Sequence, residues 1–368
     1  MTLSPDILAA ATHFDVQGEA VSCNPLPGGH IHESHVLGFR RGARVERFLL
    51  QRMNTRVFPR PELVMENMVR VTAHLRRKFA AEGAADLDRC VLTPVGAGSR
   101  LIWRDEMGGC WRMFHYIERT RTCTNVPGPL EAERAARAFG EFQRMLVDLP
   151  PPRLLETLPG FHDTSARFEA LDRALAVDSL GRAAGAKGEI DFALRQRSLA
   201  DVLSHARRTG AIPERVVHND AKIANVLFDE STGEALCIVD LDTIMPGLAL
   251  HDFGDMVRSM TCTAAEDEAN LDAVQVDPPL FEAVTRGYLA EMGGALTGAE
   301  REHLLTAGKL ITLEQGVRFL TDHLCGDRYY RTISPEQNLN RCRTQFALVE
   351  SIERNESQLR QIIRSILW

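Results

Sequence analysis

Residues 216–229, VVHNDAKIANVLFD, carry His218, Asn219, Asp220, Lys222 and Asn225 between two apolar runs. Polar groups at the edge of a core must be solvated or paired, so a cluster this dense constrains everything built around it. A second apolar run, ALCIVDLD at 235–242, ends in Asp240 and Asp242. Each run reads as a short strand that delivers its polar side chains at one end, where a loop can hold them in a cleft.

The rest of the chain has two textures. In the first third, HIHESHVLGF, ERFLLQRM and RLIWRDEMGGCWRMFHYI are β-rich with glycine breaks. Between the second and third lies a helix that begins near Pro61. Its Val64, Met68, Val71, Leu75 and Phe79 are spaced by four, three, four and four, one helical stripe. After FHYIERTRTC the pattern turns helical. PLEAERAARAFGEFQRMLVDL puts Ala138, Phe142, Met145 and Leu149 on one face and stops at the prolines of 150–152. HDTSARFEALDRALA and GEIDFALRQRSLADVLSHARRTG follow, and helix returns from about 280 to the end. The expectation is an α+β chain with a β-rich first lobe holding one helix, residues 1–117, and a larger, mainly helical second lobe, residues 118–368.

Charge and composition exclude some functions. The net charge of −7 argues against a general nucleic-acid binder, which shows a basic footprint. No run of 18 apolar residues predicts a membrane span. The opening MTLSPDILAAATHF has no basic segment followed by an apolar stretch, so no secretory leader is expected. None of the eight cysteines forms a C-x-x-C pair, and they are expected to be thiols in a reducing cytoplasm.

The chemistry follows from the residue types. Asp220, Asn225, Asp240 and Asp242 are all-oxygen ligands, and Mg²⁺ takes a few of these while sharing substrate phosphates. Lys222 adds a positive charge near the same point. A carboxylate, a lysine, an amide and a metal-binding aspartate are the parts used for phosphoryl transfer. A merely structural Asp220–Asp240 pair leaves Lys222 and Asn225 unexplained.

HNDAKIAN resembles the kinase catalytic loop H-R-D-x-x-x-x-N, and it is more similar still to that of the aminoglycoside phosphotransferase and choline kinase superfamily. HNDAKIANVLFD, CIVDLDTIMPGLALHDFGDMVRSM and EQGVRFLTDHLCGD resemble its N-acetylhexosamine 1-kinase branch. So do GGHIHESHVL, FLLQRMNTRVFPRPELVMENMVRV and WRMFHYIERT, and the likeness runs over roughly 25–330. It implies a two-lobed protein-kinase-like fold, ATP and Mg²⁺ as cofactors, and a small-molecule acceptor, an N-acetylhexosamine phosphorylated at its anomeric hydroxyl.

Carried over by residue, the resemblance makes Asp220 the catalytic base and puts Lys222 on the γ-phosphate. Asn225 and Asp240 hold Mg²⁺, and Asp242 is a second ligand or orients the loop. His218 ties the loop to its lobe, Asp252 braces it, and Asn219 replaces the common Gly or Arg. On the nucleotide side there is no G-x-G-x-x-G. Gly28 and Gly29 are candidates to cover the phosphates, although two adjacent glycines by themselves more often make a turn. The usual strand lysine is missing. Arg52 is the candidate for its place, since arginine grips phosphate oxygens in a fork. Its partner would be Glu66, which spacing alone does not separate from Glu62. The backbone of His115, Tyr116 and Ile117 is expected to meet the adenine.

For the acceptor, Arg318 and Asp322 lie four apart on a predicted helix. They are either a surface ion pair or a pair turned toward sugar hydroxyls. His32, where relatives have Asn, is the other acceptor candidate. His30, His32 and His35 have no nearby pattern of further ligands to complete a zinc site. Two rivals stay open: another small hydroxyl acceptor (choline, an aminoglycoside, a different sugar), or a nucleotide-binding regulatory module without turnover.

Overall fold

Apolar residues of both parities along the first strands give one antiparallel sheet two apolar faces, and a helix covers each. The computed structural model describes residues 5–26 and 31–367. Gly28, Gly29 and His30 lie outside the described residues. Helix α1 (Pro5–Ala11) is followed by β1 (Glu19–Pro25), β2 (Glu33–Arg41) and β3 (Arg44–Met53), then α2 (Pro61–Ala81) and the short α3 (Leu87–Cys90). Strands β4 (Pro94–Val95), β5 (Trp103–Arg104) and β6 (Cys110–His115) complete the sheet. Its order is β1-β2-β3-β6-β4, with β5 folded back on β6.

The parity of each strand decides which helix it meets. Phe48 and Leu50 of β3 join Leu37, Trp111 and Met113 against Ile7, Ala10, Ala11 and Phe14 at the N-terminus. Met53, Cys110 and Phe114 face the other way, onto Val64, Met65, Met68, Val71 and Leu75 of α2. Pro61 starts α2 at a position where its missing N–H costs nothing. The sequence led us to expect one helix in this lobe. Helix α1 was not expected, although Ile7, Ala10, Ala11 and Phe14 fall at the i, i+3, i+4, i+7 positions of an apolar stripe. The glycine break expected in RLIWRDEMGGCWRMFHYI is the turn of a β5–β6 hairpin, at Gly108 with φ of 79°.

After β7 (Thr120–Arg121) the chain is mainly helical: α4 (Pro129–Leu146), α5 (Thr164–Val177), α6 (Lys187–Gln196) and α7 (Val202–Arg208). Four short strands then interrupt it: β8 (Arg215–Val217), β9 (Val226–Asp229), β10 (Ala235–Ile238) and β11 (Met245–Gly247). They pair as β8 with β11 and β9 with β10, so two small ladders frame the polar segment. Helices α8 (Ala249–Met260), α9 (Pro278–Met292), α10 (Gly298–Glu302), α11 (Leu304–Leu324), α12 (Gln337–Arg354) and α13 (Glu356–Leu367) close the chain.

Helices α4 and α9 touch backbone to backbone: a Cβ on Gly287 would stand 2.2 Å from the Glu133 carbonyl oxygen. Asn67 of α2 crosses to the helical part. Its amide donates to the carbonyls of Leu155 at 2.7 Å and Ile244 at 2.9 Å, and its oxygen accepts the Leu155 N–H. All eight cysteines are free. Among the described residues, no helix is long and apolar enough to cross a membrane.

Candidate active site

Two residues with left-handed backbone shape the site: Asn219 at φ 66° and Asp240 at φ 61°. Side chains other than glycine avoid this region, and Asn and Asp enter it at least cost. At Asn219 the turn aims two consecutive amides at one carboxylate. His218 N–H and Asn219 N–H donate to the two oxygens of the fully buried Asp252, at 2.9 and 2.7 Å. Asp252 also accepts from Gln143 at 2.6 Å, and Gln143 accepts from the Tyr288 hydroxyl at 2.6 Å. A buried line of hydrogen bonds thus runs from α9 through α4 and α8 to the loop.

The Asn219 side chain donates to the Thr243 carbonyl at 2.8 Å. Asn219→Gly should lose that bond, a cost of about 1 kcal/mol. Asn219→Ala should also meet the left-handed penalty and lose about 2–3 kcal/mol. Urea denaturation of the three proteins checks the order Asn, Gly, Ala. An alanine variant as stable as the parent would dismiss this account of the turn.

The loop presents Asp220, Lys222 and Asn225 together. The Lys222 ammonium donates to Asp220 at 2.6 Å, and the Asn225 amide donates to the same oxygen at 2.9 Å. His218 lies beneath, its ring hydrogen-bonded to the Val239 carbonyl at 2.9 Å and set edge-on against Phe139. Burial works to raise the Asp220 carboxyl, but Lys222, His218 and Asn225 outweigh it and hold the group at about 2. Burial pulls on Lys222 in the opposite sense, and Asp220 and Asp240 keep it firmly charged. Asp220 keeps 28% of its side-chain surface, so an ionised carboxylate stands within reach of a ligand.

Asp240 lies deep between neighbours yet opens to solvent, and its carboxylate meets no hydrogen-bond donor among the described residues. Burial and the like charges of Asp242 and Asp220 push its carboxyl up. The adjoining Val239 N–H donates to the Asn225 carbonyl at 2.9 Å, which joins the two loops. An unpaired carboxylate beside like charges, next to an amide whose nitrogen is already committed, suits a hard cation that keeps places for water and phosphate. Among the described residues, no three His, Cys, Asp or Glu gather into a self-sufficient cage.

Several expected placements need correction. Asp242 does not face outward as a ligand. It is 2% exposed and holds the Arg112 guanidinium in two bonds, at 2.5 and 3.0 Å, while the His32 ring bonds the same carboxylate. Burial raises its carboxyl, but Arg112 and His32 hold it well below the usual carboxylate range. His32 is therefore an interlobe contact and not an acceptor contact, and its Nδ1 accepts the Asn54 N–H at 3.0 Å.

Arg52 and Glu66 are not brought together. Arg52 shares the parity of Phe48 and Leu50, lies over Trp111 with its guanidinium 5.7 Å from the ring centroid, and is exposed. Its neighbour Gln51 takes the opposite face and accepts from Arg112 at 3.0 Å. One residue along a strand exchanges the two faces. Glu66 is exposed and makes no ion pair among the described residues, while Glu62 pairs with Arg104 at 2.6 Å. The buried cation of the cleft is Arg112, delivered by β6 from the position opposite Gln51.

In the segment after β6, the His115 and Tyr116 amides already donate, to Thr93 and Arg47 carbonyls, both at 3.0 Å. Ile117 alone of the three has an N–H without a partner among the described residues.

Arg318 and Asp322 also separate. Asp322 accepts the backbone N–H groups of Arg328, Tyr329 and Tyr330 at 3.0, 2.9 and 3.0 Å, and the Asn338 amide at 2.9 Å. Its carboxylate is spent on folding that loop back. The loop in turn sets Tyr329 and Tyr330 beside Arg318, whose guanidinium lies 5.2–5.9 Å from the ring centres of Phe161, Tyr330 and Tyr329. Asp255, one helical turn beyond Asp252, also went unnoticed in the sequence. It is buried, accepts from Arg258 at 2.7 Å, and its second oxygen has no partner among the described residues.

With this geometry in hand, comparison with known proteins is informative. The chain matches the family model described as "Phosphotransferase enzyme family" over residues 25–292. Among solved structures it is similar to an aminoglycoside phosphotransferase from Alicyclobacillus acidocaldarius, at 14% identity, 99% of this chain, 98% of that one and TM-score 0.59. A choline kinase from Cryptosporidium parvum matches at 12% identity, 96% and 93% coverage and TM-score 0.54. A spectinomycin phosphotransferase solved with ADP and spectinomycin matches at 11% identity, 97% and 99% coverage and TM-score 0.53. At such identities the likeness is one of fold: a small β-rich lobe and a larger, mainly helical one, arranged as in protein kinases.

Proposed function

The chain belongs to the phosphotransferase enzyme family, and on that premise we propose that it transfers the γ-phosphoryl group of ATP, with Mg²⁺, to the anomeric hydroxyl of an N-acetylhexosamine. The observation that carries this is the Asp220–Lys222–Asn225 cluster beside the unpaired Asp240. Asp220 orients the attacking hydroxyl and takes its proton as the new bond to phosphorus forms. A carboxylate held at about 2 is a weak base, so its contribution is mostly placement, with proton transfer late. Lys222 brings a fixed charge to the transferring oxygens. Asn225 and Asp240 would hold Mg²⁺, which when bound supplies charge neutralisation at the phosphates. The ADP bound to the spectinomycin phosphotransferase supports a nucleotide donor, and the free Ile117 amide suits an adenine. The proposed division is a nucleotide lobe over 1–117 and a catalytic and acceptor lobe over 118–368.

The acceptor assignment rests on sequence resemblance and on the composition of the far wall. Phe161, Tyr329 and Tyr330 offer flat apolar faces of the kind a pyranose ring packs on, with Arg318 as hydrogen-bond donor. A quaternary ammonium drawn to those rings would meet the positive charge of Arg318 beside them, which a neutral sugar does not. An aminoglycoside would need open carboxylates, and those of Glu314 and Asp322 are already bonded.

The test is ADP release with ATP and Mg²⁺ over N-acetylglucosamine, N-acetylgalactosamine, N-acetylmuramate, plain hexoses, choline and an aminoglycoside. Turnover with an N-acetylhexosamine is expected, and it should vanish when the anomeric hydroxyl is blocked. Turnover confined to another acceptor would overturn the substrate and keep the reaction class.

A further inference from the structure

His162 precedes α5 and is almost wholly enclosed, with 6% of its side chain exposed. Its Nδ1 lies 2.8 Å from a Glu314 carboxylate oxygen, and its Nε2 lies 3.1 Å from the Asn219 carbonyl oxygen. The second Glu314 oxygen accepts from the Thr164 hydroxyl at 2.6 Å. A carboxylate and a peptide carbonyl can only accept. A neutral imidazole has one N–H and would leave the other nitrogen's lone pair facing an oxygen lone pair. The two contacts together therefore require both ring nitrogens to carry protons.

The charged surroundings agree with this. Burial opposes the imidazolium, Glu314 on α11 and Asp255 on α8 favour it, and Arg318 on α11 opposes it; the sum raises the His162 pKa. Glu314 resists its own burial through His162 and Arg318 and is held at about 2. On α8, His251 lies 4.8 Å from His162, ring centre to ring centre; burial first, then the His162 charge and Arg207, drive it down to about 3. His251 stays neutral, and the single proton-rich ring is His162.

The two ends of this bridge are telling. Glu314 sits one helical turn before Arg318, on the acceptor side, and Asn219 is the residue before Asp220. We infer that His162 is a positioning residue: an imidazolium donating through both nitrogens, it ties the acceptor-side helix α11 to the peptide that carries Asp220 and so fixes the spacing between acceptor and base. Its kinetic consequence rests on the function proposed above; its protonation state does not.

The experiment has two arms on the full chain. In the first, imidazole ¹⁵N shifts of His162 are followed over pH 6 to 9. Two N–H groups are expected at neutral pH, and a singly protonated His162 there would overturn the inference whatever the enzyme phosphorylates. In the second, His162→Gln and Glu314→Gln are compared with the parent under the best acceptor found. Each should lose about 10- to 100-fold in kcat with the ATP KM little changed, the scale of a reacting group misplaced by about an ångström.

The sign of the pH effect follows from the raised His162 pKa. The stability that the two hydrogen bonds contribute is fully present below the unfolded value, and one of the two is lost as pH rises through the folded one. Parent kcat should therefore fall on the alkaline side, and Glu314→Gln should move that fall to lower pH. A Glu314→Gln profile superimposable on the parent's would also overturn the inference. Should His162→Gln not fold, the ¹⁵N titration and the near-isosteric Glu314→Gln decide the matter.

Discussion

Under the proposed phosphoryl transfer, Asp220→Asn is expected to lower kcat by about 10²- to 10⁴-fold, the range for removing a positioned general base. The substitution keeps shape and size, so the Asn219 turn and its two bonds to Asp252 should persist. Lys222 loses its nearest anion but keeps Asp240 in reach of its charge. The pair is about a third exposed and solvent-screened, so the stability loss should stay near 1 kcal/mol. Steady-state kinetics, with urea midpoints as the control, separate the two effects. More than about a tenth of parental kcat in a well-folded Asp220→Asn protein would mean that another group takes the proton.

The second large effect concerns stability. Arg112 and Asp242 are each 2% exposed and joined by two hydrogen bonds across the lobes. Removing one partner strands the other charge, and Arg112→Met or Asp242→Leu should each cost about 3–5 kcal/mol. The double variant Arg112→Met/Asp242→Leu should recover much of that, because two apolar side chains replace a desolvated pair. It will fall short of the parent by roughly the cost of the His32 N–H and the Gln51 side-chain oxygen left without their partners, about 1–3 kcal/mol each. Denaturant midpoints of the four proteins form a double-mutant cycle. Single losses under about 1 kcal/mol would show that the contact does not hold the lobes.

Asp220, Lys222 and Asn225 were legible because they are close in sequence and flanked by two apolar strands; a loop of that length cannot scatter them. Asp252 was legible as a brace for the same loop. Arg112 was not. Helices cover both faces of the sheet, so Leu49, Leu50, Gln51 and Arg52 carry no alternation of apolar and polar residues that says which face meets the cleft. A permanently charged Arg52 therefore drew the assignment one residue away from Gln51. Asp322 misled for another reason. Its partners are mostly backbone amides of a loop six to eight residues on, which side-chain spacing on a helix does not reveal. His162 lies far from the motif in sequence, and only the folded chain places it against Asn219.

The buried line from Tyr288 through Gln143 and Asp252 ends on the amides of His218 and Asn219. Those amides should exchange with solvent only when the helical core itself opens, which places the polar loop in the slowest-exchanging unit of the molecule and not in its mobile fringe.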